Sequence, residues 1–190
     1  GYGGGMDFFQ LKGAVERILA GLRISDVTFE AESENPSYHP GRCAKVYAGG
    51  KLLGVLGQIH PLAAANYGVD AELYTAELQL DGILAARGVT PVYTPLPRFP
   101  AITRDIAVVC DAAVPVGELT ECIRKAEKNV LRGVKLFDVY TGVGIPEGKK
   151  SVAFSLTLRS DDGTLTDDHA EEAVRAVLDA LRESFGAVIR

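Results

Sequence analysis

From Ser151 to Arg159 the side chains alternate without a break. Val152, Phe154, Leu156 and Leu158 fall on one face of an extended chain, and Ser151, Ala153, Ser155 and Thr157 fall on the other. A strand with one apolar face needs a cover, and helical spacing on both sides supplies it. Val116, Leu119, Ile123 and Ala126 recur at that spacing after Pro115, a residue suited to a first turn. Ala170, Val174, Val177, Leu178 and Leu181 do the same after Thr166, whose hydroxyl suits an N-cap. Asp167 and Asp168 then lie in the first turn, where the helix dipole favours carboxylates. Asp105–Cys110 and Val134–Tyr140 read as two more strands, and Gly186 closes the second helix before a last short strand, Ala187 to Arg190. The order β-α-β-β-α-β predicts a ferredoxin-like sandwich: a four-stranded antiparallel sheet with both helices on one face and the other face open.

Upstream, the stretch from Val89 to Pro100 holds Pro91, Pro95, Pro97 and Pro100, too many for a helix or an interior strand. It reads as a linker, dividing the chain into residues 1–90 and 91–190. The first part opens on an amphipathic helix capped by Asp7, with Phe8, Leu11, Val15, Ile18, Leu19 and Leu22 on its apolar stripe. Val27 to Ala31 suggests a strand. Two apolar runs joined by Gly49-Gly50 suggest a hairpin. A short helix after Pro61, a strand over Leu73–Leu80 and one or two helical turns over Gly82–Arg87 complete an antiparallel sheet with helices. The whole chain is therefore of the α+β class. Its sole methionine, Met6, follows five residues that begin with glycine; it reads as a piece of a longer protein, and residues 1–5 carry no fold argument.

Composition narrows the function classes. Cys43, Cys110 and Cys122 are odd in number and widely spaced, which argues against a disulfide framework or a structural zinc and for a reducing cytoplasm. No apolar run approaches the roughly 20 residues of a membrane helix. The net charge of −5 weighs against broad nucleic-acid binding, although a local basic rim can act within a Debye length. His39, Cys43 and His60 match no zinc spacing, and Asp161, Asp162, Asp167 and Asp168 fit a turn and a helix start better than a calcium loop. The Gly3–Gly5 run lacks the lysine of a phosphate loop. No arrangement of nucleophile and base points to a catalytic residue.

The open face is the informative one. With Phe137 and Val139 turned to the helices, alternation leaves Leu136, Asp138 and Tyr140 facing out, beside Ser151 of the next strand. Tyr140 offers a ring for stacking, Asp138 accepts from ring N–H or amino groups, and Ser151 donates or accepts. Lys149, Lys150, Arg159 and Arg190 are candidate phosphate partners around them. An aromatic on an open sheet with polar neighbours and a basic rim is one way proteins bind unstacked RNA bases. Two other readings stand beside it: a regulatory module binding a small molecule such as an amino acid, and a structural face that docks on protein.

Three strings go further. PLPRFPAITRDIAVV, LFDVYTGVGIPEGKKSVAFSLTL and TLTDDHAEEAV resemble the ferredoxin-fold anticodon-binding domain of the bacterial phenylalanyl-tRNA synthetase β subunit, over about Tyr93 to Arg190. The resemblance implies anticodon contacts by Asp138, Tyr140 and Ser151, with Arg190 the counterpart of a C-terminal arginine. His169 stands where the family usually has a glutamate, away from the RNA face. DFFQLKGAVERIL, HPGRCAKV, GVLGQIHP and AELQLDGIL resemble the end of that subunit's catalytic-like module, related to class II synthetase cores. There ELQLDGIL resembles a decayed motif 3, with Gly82 in place of an ATP-binding arginine. The resemblance implies a non-catalytic fragment of a phenylalanine-tRNA ligase, a cytoplasmic enzyme using ATP and magnesium. It further implies tRNA(Phe) and a synthetase α subunit as partners in an α2β2 heterotetramer, with no metal or cofactor held by this fragment and neither DNA nor membrane as a partner.

Overall fold

The computed structural model describes residues 5–88, 93 and 95–190, so Val89–Val92 and Thr94 of the proline-rich linker lie outside the described residues, as do Gly1–Gly4. The chain divides into two compact units, Gly1–Val92 and Tyr93–Arg190.

In the first unit, helix α1 spans Phe8–Gly21, and the Asp7 carboxylate accepts the Gln10 N–H at 2.8 Å. Four strands follow as one antiparallel sheet in sequence order: β1 (Val27–Ala31), β2 (Tyr38–Ala48), β3 (Lys51–Ile59) and β4 (Tyr74–Leu78). The β2–β3 hairpin turns on Gly49 and Gly50, both at positive φ (53° and 74°), a conformation glycine takes without steric cost. Val15 and Leu19 of α1 pack with Val46, Leu53 and Leu56 of the hairpin and with Ile83 of α3 (Leu80–Ala86). Ile18, expected on the buried stripe, is 53% exposed, because the sheet covers a narrower arc of α1 than the apolar pattern spans. The short helix α2 (Pro61–Asn66) is capped by His60, whose Nδ1 accepts the Leu62 N–H.

Glu32 fixes the chain leaving β1. Its Oε1 accepts the N–H groups of Glu34 (2.6 Å) and Asn35 (3.2 Å), while Oε2 pairs with Lys45 of β2. The hydrogen bond from Lys45, helped by those backbone donors, holds the carboxyl below the usual carboxylate range. A depressed folded-state value contributes stability above the unfolded value, lost as pH falls through the folded one. Thermal melts between neutral pH and about pH 3 should therefore show a shallower acid loss for Glu32→Gln than for the unsubstituted chain; identical pH profiles would refute this role.

The second unit runs β5 (Ile102–Asp111), α4 (Val116–Ala126), β6 (Leu131–Tyr140), β7 (Lys149–Leu158), α5 (Asp167–Phe185) and β8 (Val188–Ile189). The sheet order is β6-β7-β5-β8, every pair antiparallel. This is the ferredoxin-like arrangement. Thr166 caps α5 by accepting the His169 N–H, and Gly186 ends it at φ 60°. Val152, Phe154, Leu156 and Leu158 are wholly buried with Leu119 and Ile123 of α4 and Val177 and Leu181 of α5. Both helices therefore cover one face of the sheet.

One strand departs from simple alternation. In β6 the register shifts between Leu136 and Asp138, so Leu136 lies across from the core residue Phe154 while Asp138 lies across from Ala153. A bulge inserts one residue and reverses the parity before it. Leu136 therefore belongs to the helix side, not the open side that alternation predicts for it.

Candidate nucleic-acid interface

On the open face the pairing sets out two rows of side chains across the four strands. One row runs Tyr140, Ser151, Val109, Val188. The next begins Asp138, Ala153, Ala107, and it ends at Arg190, whose N–H donates to the Ala107 carbonyl at 3.0 Å and so extends the β8 register. The longest groups stand on the two edge strands; the central strands carry serine, alanine and Val109. The rows thus form a shallow trough, with Tyr140 and Asp138 on one wall and Arg190 on the other.

The walls meet over the floor. The Arg190 guanidinium carbon lies 5.5 Å from the centroid of the Tyr140 ring, a cation–π approach between opposite edges of the sheet. With strands about 4.8 Å apart, these side chains must reach across β7 and β5 to meet. Ser151 and Ala153 are only 4% and 8% exposed, although both helices of this unit lie on the other face. Tyr140 remains 37% exposed, and Asp138 is exposed.

Loop residues behind the ring hold it in place. The Tyr140 hydroxyl donates to the Val143 carbonyl at 3.3 Å. A Cβ on Gly142 would lie 2.7 Å from that hydroxyl oxygen, so this position admits no side chain while the ring stays where it is. Sequence reasoning passed over Gly142; a glycine two residues beyond an aromatic strand end was the available signal.

The candidate phosphate partners separate into different places. Lys149 is on the open face across from Asp111, its ammonium 3.9 Å from that carboxylate. Lys150 is one residue on and therefore on the helix side. It is 9% exposed, and its Nζ donates to the carbonyls of Ala112 (3.1 Å) and Val114 (2.5 Å). Its role is to tie down the loop entering α4, which corrects its assignment to the basic rim. Arg159 follows Ser151 by eight residues, about 26 Å along the strand. It sits at the far end of β7, its Nε 3.5 Å from Asp161, and this corrects its place beside Tyr140.

In the first unit, His39 and His60 each turn Nδ1 onto a backbone N–H two residues ahead. Burial pushes the Cys43 thiol up to about 11, with Glu32 adding to the effect, so it is no nucleophile at neutral pH. Among the described residues, no group of three or more His, Cys, Asp or Glu is arranged to hold a metal ion. Gly82 faces the hairpin, where a Cβ would stand 3.3 Å from Leu53. No helix among the described residues is long and apolar enough to cross a membrane.

The second unit is thus a ferredoxin-like sandwich with an aromatic, an acid and an arginine around its open trough, and residues 97–190 match the family model described as a ferredoxin-fold anticodon binding domain. Residues 3–80 match the phenylalanyl tRNA synthetase beta chain CLM domain. The chain is 39% identical over 187 residues to the phenylalanine–tRNA ligase beta subunit of Clostridium acetobutylicum, covering 98% of this chain and 24% of the relative. It is 44% identical to that of Moorella thermoacetica (98% and 23%) and 42% identical to that of Bacillus subtilis (97% and 23%). The chain belongs to the phenylalanyl-tRNA synthetase β-subunit family. It spans about a quarter of the length of these curated relatives.

Proposed function

We propose that this chain binds and positions tRNA(Phe) by its anticodon, as a non-catalytic part of a cytoplasmic phenylalanine-tRNA ligase. The observation that carries the reading is the trough between Tyr140 and Arg190. A floor of serine, alanine and valine lies between a stacking ring and a guanidinium, with Asp138 on the wall to accept from a base edge. Tyr140 stacks on an unpaired base, Asp138 and Ser151 hydrogen-bond to it, and Arg190 moves aside to admit it and then contacts it. Lys149 is the phosphate partner nearest the trough.

In this reading the chemistry belongs to a synthetase α subunit in an α2β2 assembly, where ATP and magnesium supply the activation of the amino acid. What this chain contributes is orientation. Contacts made far from the reacting atoms are converted into correct placement of the acceptor end.

The test is a titration of the chain with a tRNA(Phe) transcript, with the same transcript altered in its anticodon, and with free phenylalanine. Binding of the first, weakened in the second and absent for the third, is expected. Equal affinity for both transcripts would overturn anticodon reading, and saturable binding of phenylalanine would favour a small-molecule module.

A further inference from the structure

The chain is acidic overall, with 20 Lys and Arg against 25 Asp and Glu, yet the stretch from Arg124 to Lys135 carries five cations and a single carboxylate. A quarter of the basic residues therefore lie in one short segment, the end of α4 and the start of β6. Arg124, Lys128 and Arg132 line a groove of about 340 Å³ with Glu127, Leu131 and Val134. The helix dipole accounts for Arg124 and Lys125, which sit in the last turn of α4. It does not account for Lys128, Arg132 and Lys135, which lie beyond the helix end.

Few of these charges are spent inside the fold. Arg132 is held by the Asn129 carbonyl (2.7 Å) and by Asp161 (2.9 Å). Arg124 has only the exposed Glu121, at 3.6 Å. Lys125, Lys128 and Lys135 have no ion-pair or hydrogen-bond partner among the described residues. Glu127, the one carboxylate, turns its Oε1 onto the N–H groups of Asn129 (2.6 Å) and Val130 (3.1 Å).

The groove opens at the helix-side edge of β6, since Leu131 and Val134 of its lining pack toward the core, while Lys135 of the same segment turns to the other face. Lys135 lies across from Ser155 on the open face, on the same strand and face as Asp138 and Tyr140. From Leu131 to Tyr140 β6 extends on the order of 30 Å. That is the span of about nine stacked nucleotides at roughly 3.4 Å each. A single bound base cannot occupy both ends, but a base and the stem leading to it can. The groove lining contains no aromatic, unlike the core of a typical protein–protein interface.

We propose that the α4–β6 corner is a second RNA contact, a phosphate-binding groove that grips the backbone of the stem whose unpaired base enters the trough. The proposal rests on the reading of the trough as a base site. Lys128 and Arg124 supply the mobile charges, Arg132 a fixed one, and Lys135 links the two ends.

The experiment compares the full chain with an Arg124→Gln/Lys128→Gln variant and with Tyr140→Ala, on two probes: the tRNA(Phe) anticodon stem-loop, and its loop sequence as a linear strand. The double variant should bind the stem-loop roughly tenfold more weakly at about 0.1 M salt. Its slope of log affinity against log salt should be shallower by about 1.4–1.8, as for two lost phosphate contacts, with affinity for the linear strand unchanged. Tyr140→Ala should weaken both probes. Unchanged stem-loop affinity and slope in the double variant overturn the corner, as does an equal loss on the two probes. Binding of poly-glutamate that the double variant loses, without loss on the stem-loop, overturns it in favour of an acidic protein partner. If Tyr140→Ala weakens neither probe, the trough reading fails on its own variant, and the double variant still decides the corner.

Discussion

Replacing Tyr140 with alanine should weaken binding of tRNA(Phe) by about 1–3 kcal/mol, the range for one base–aromatic stack. In a titration that is a loss of roughly 5- to 150-fold. The ring is the largest flat surface on the trough, partly exposed, backed by Gly142 and faced by Arg190. Truncating it removes the stacking platform and opens Ser151 to water. Tyr140→Phe should retain most of the affinity, since the hydroxyl's partner is the chain's own Val143 carbonyl at 3.3 Å. Asp138→Ala should cost affinity separately, through the lost acceptor. Binding that survives both Tyr140→Ala and Asp138→Ala intact would remove the base site from this sheet.

A larger effect, on stability, is expected from Phe154→Ala: about 3–5 kcal/mol, the usual range for deleting a buried aromatic. Total stabilities lie near 5–15 kcal/mol, so the second unit would be close to unfolding. Phe154 is wholly buried at the middle of β7, a central strand, with Ile106 on one side and Leu136 on the other. Urea unfolding followed by far-UV circular dichroism is the suitable measurement, because the chain has no tryptophan. A change below about 1 kcal/mol would contradict the packing described for this strand. The same strand carries Ser151 and Ala153 on its other face, so loss of this core would also dissolve the trough.

What could be read without coordinates followed from local physics. The alternation of β7 was plain because every second residue meets the two helices, and burial leaves few choices there. Asp7, Thr166 and Gly186 are legible as caps because capping is a matter of neighbouring backbone groups. The faces of β6 were not fully legible. A bulge adds a residue without any signature in composition, and Leu136 changed sides. Lys150 shows a different limit. Its parity was already present in the alternation, but the two carbonyls that receive its amine come from a loop almost forty residues earlier. The approach of Arg190 to Tyr140 depends on β8 pairing with β5, an event of tertiary structure in a strand of two residues. The cations from Arg124 to Lys135 acquire meaning only once the groove is seen.

The bulge in β6 has another consequence. β6 ends the sheet, ten residues long, and its Phe137, Val139 and Leu136 are exposed. A straight, apolar border of that length would template pairing with a second chain and open a route to aggregation. Two register shifts, beside Arg132 and at Phe137, break the repeat of free N–H and C=O groups, and Arg132, Lys135 and Asp138 place charge along it. The border that RNA is proposed to follow is thus poorly suited to zippering with a copy of itself, and a substitution that straightened it would trade solubility for regularity.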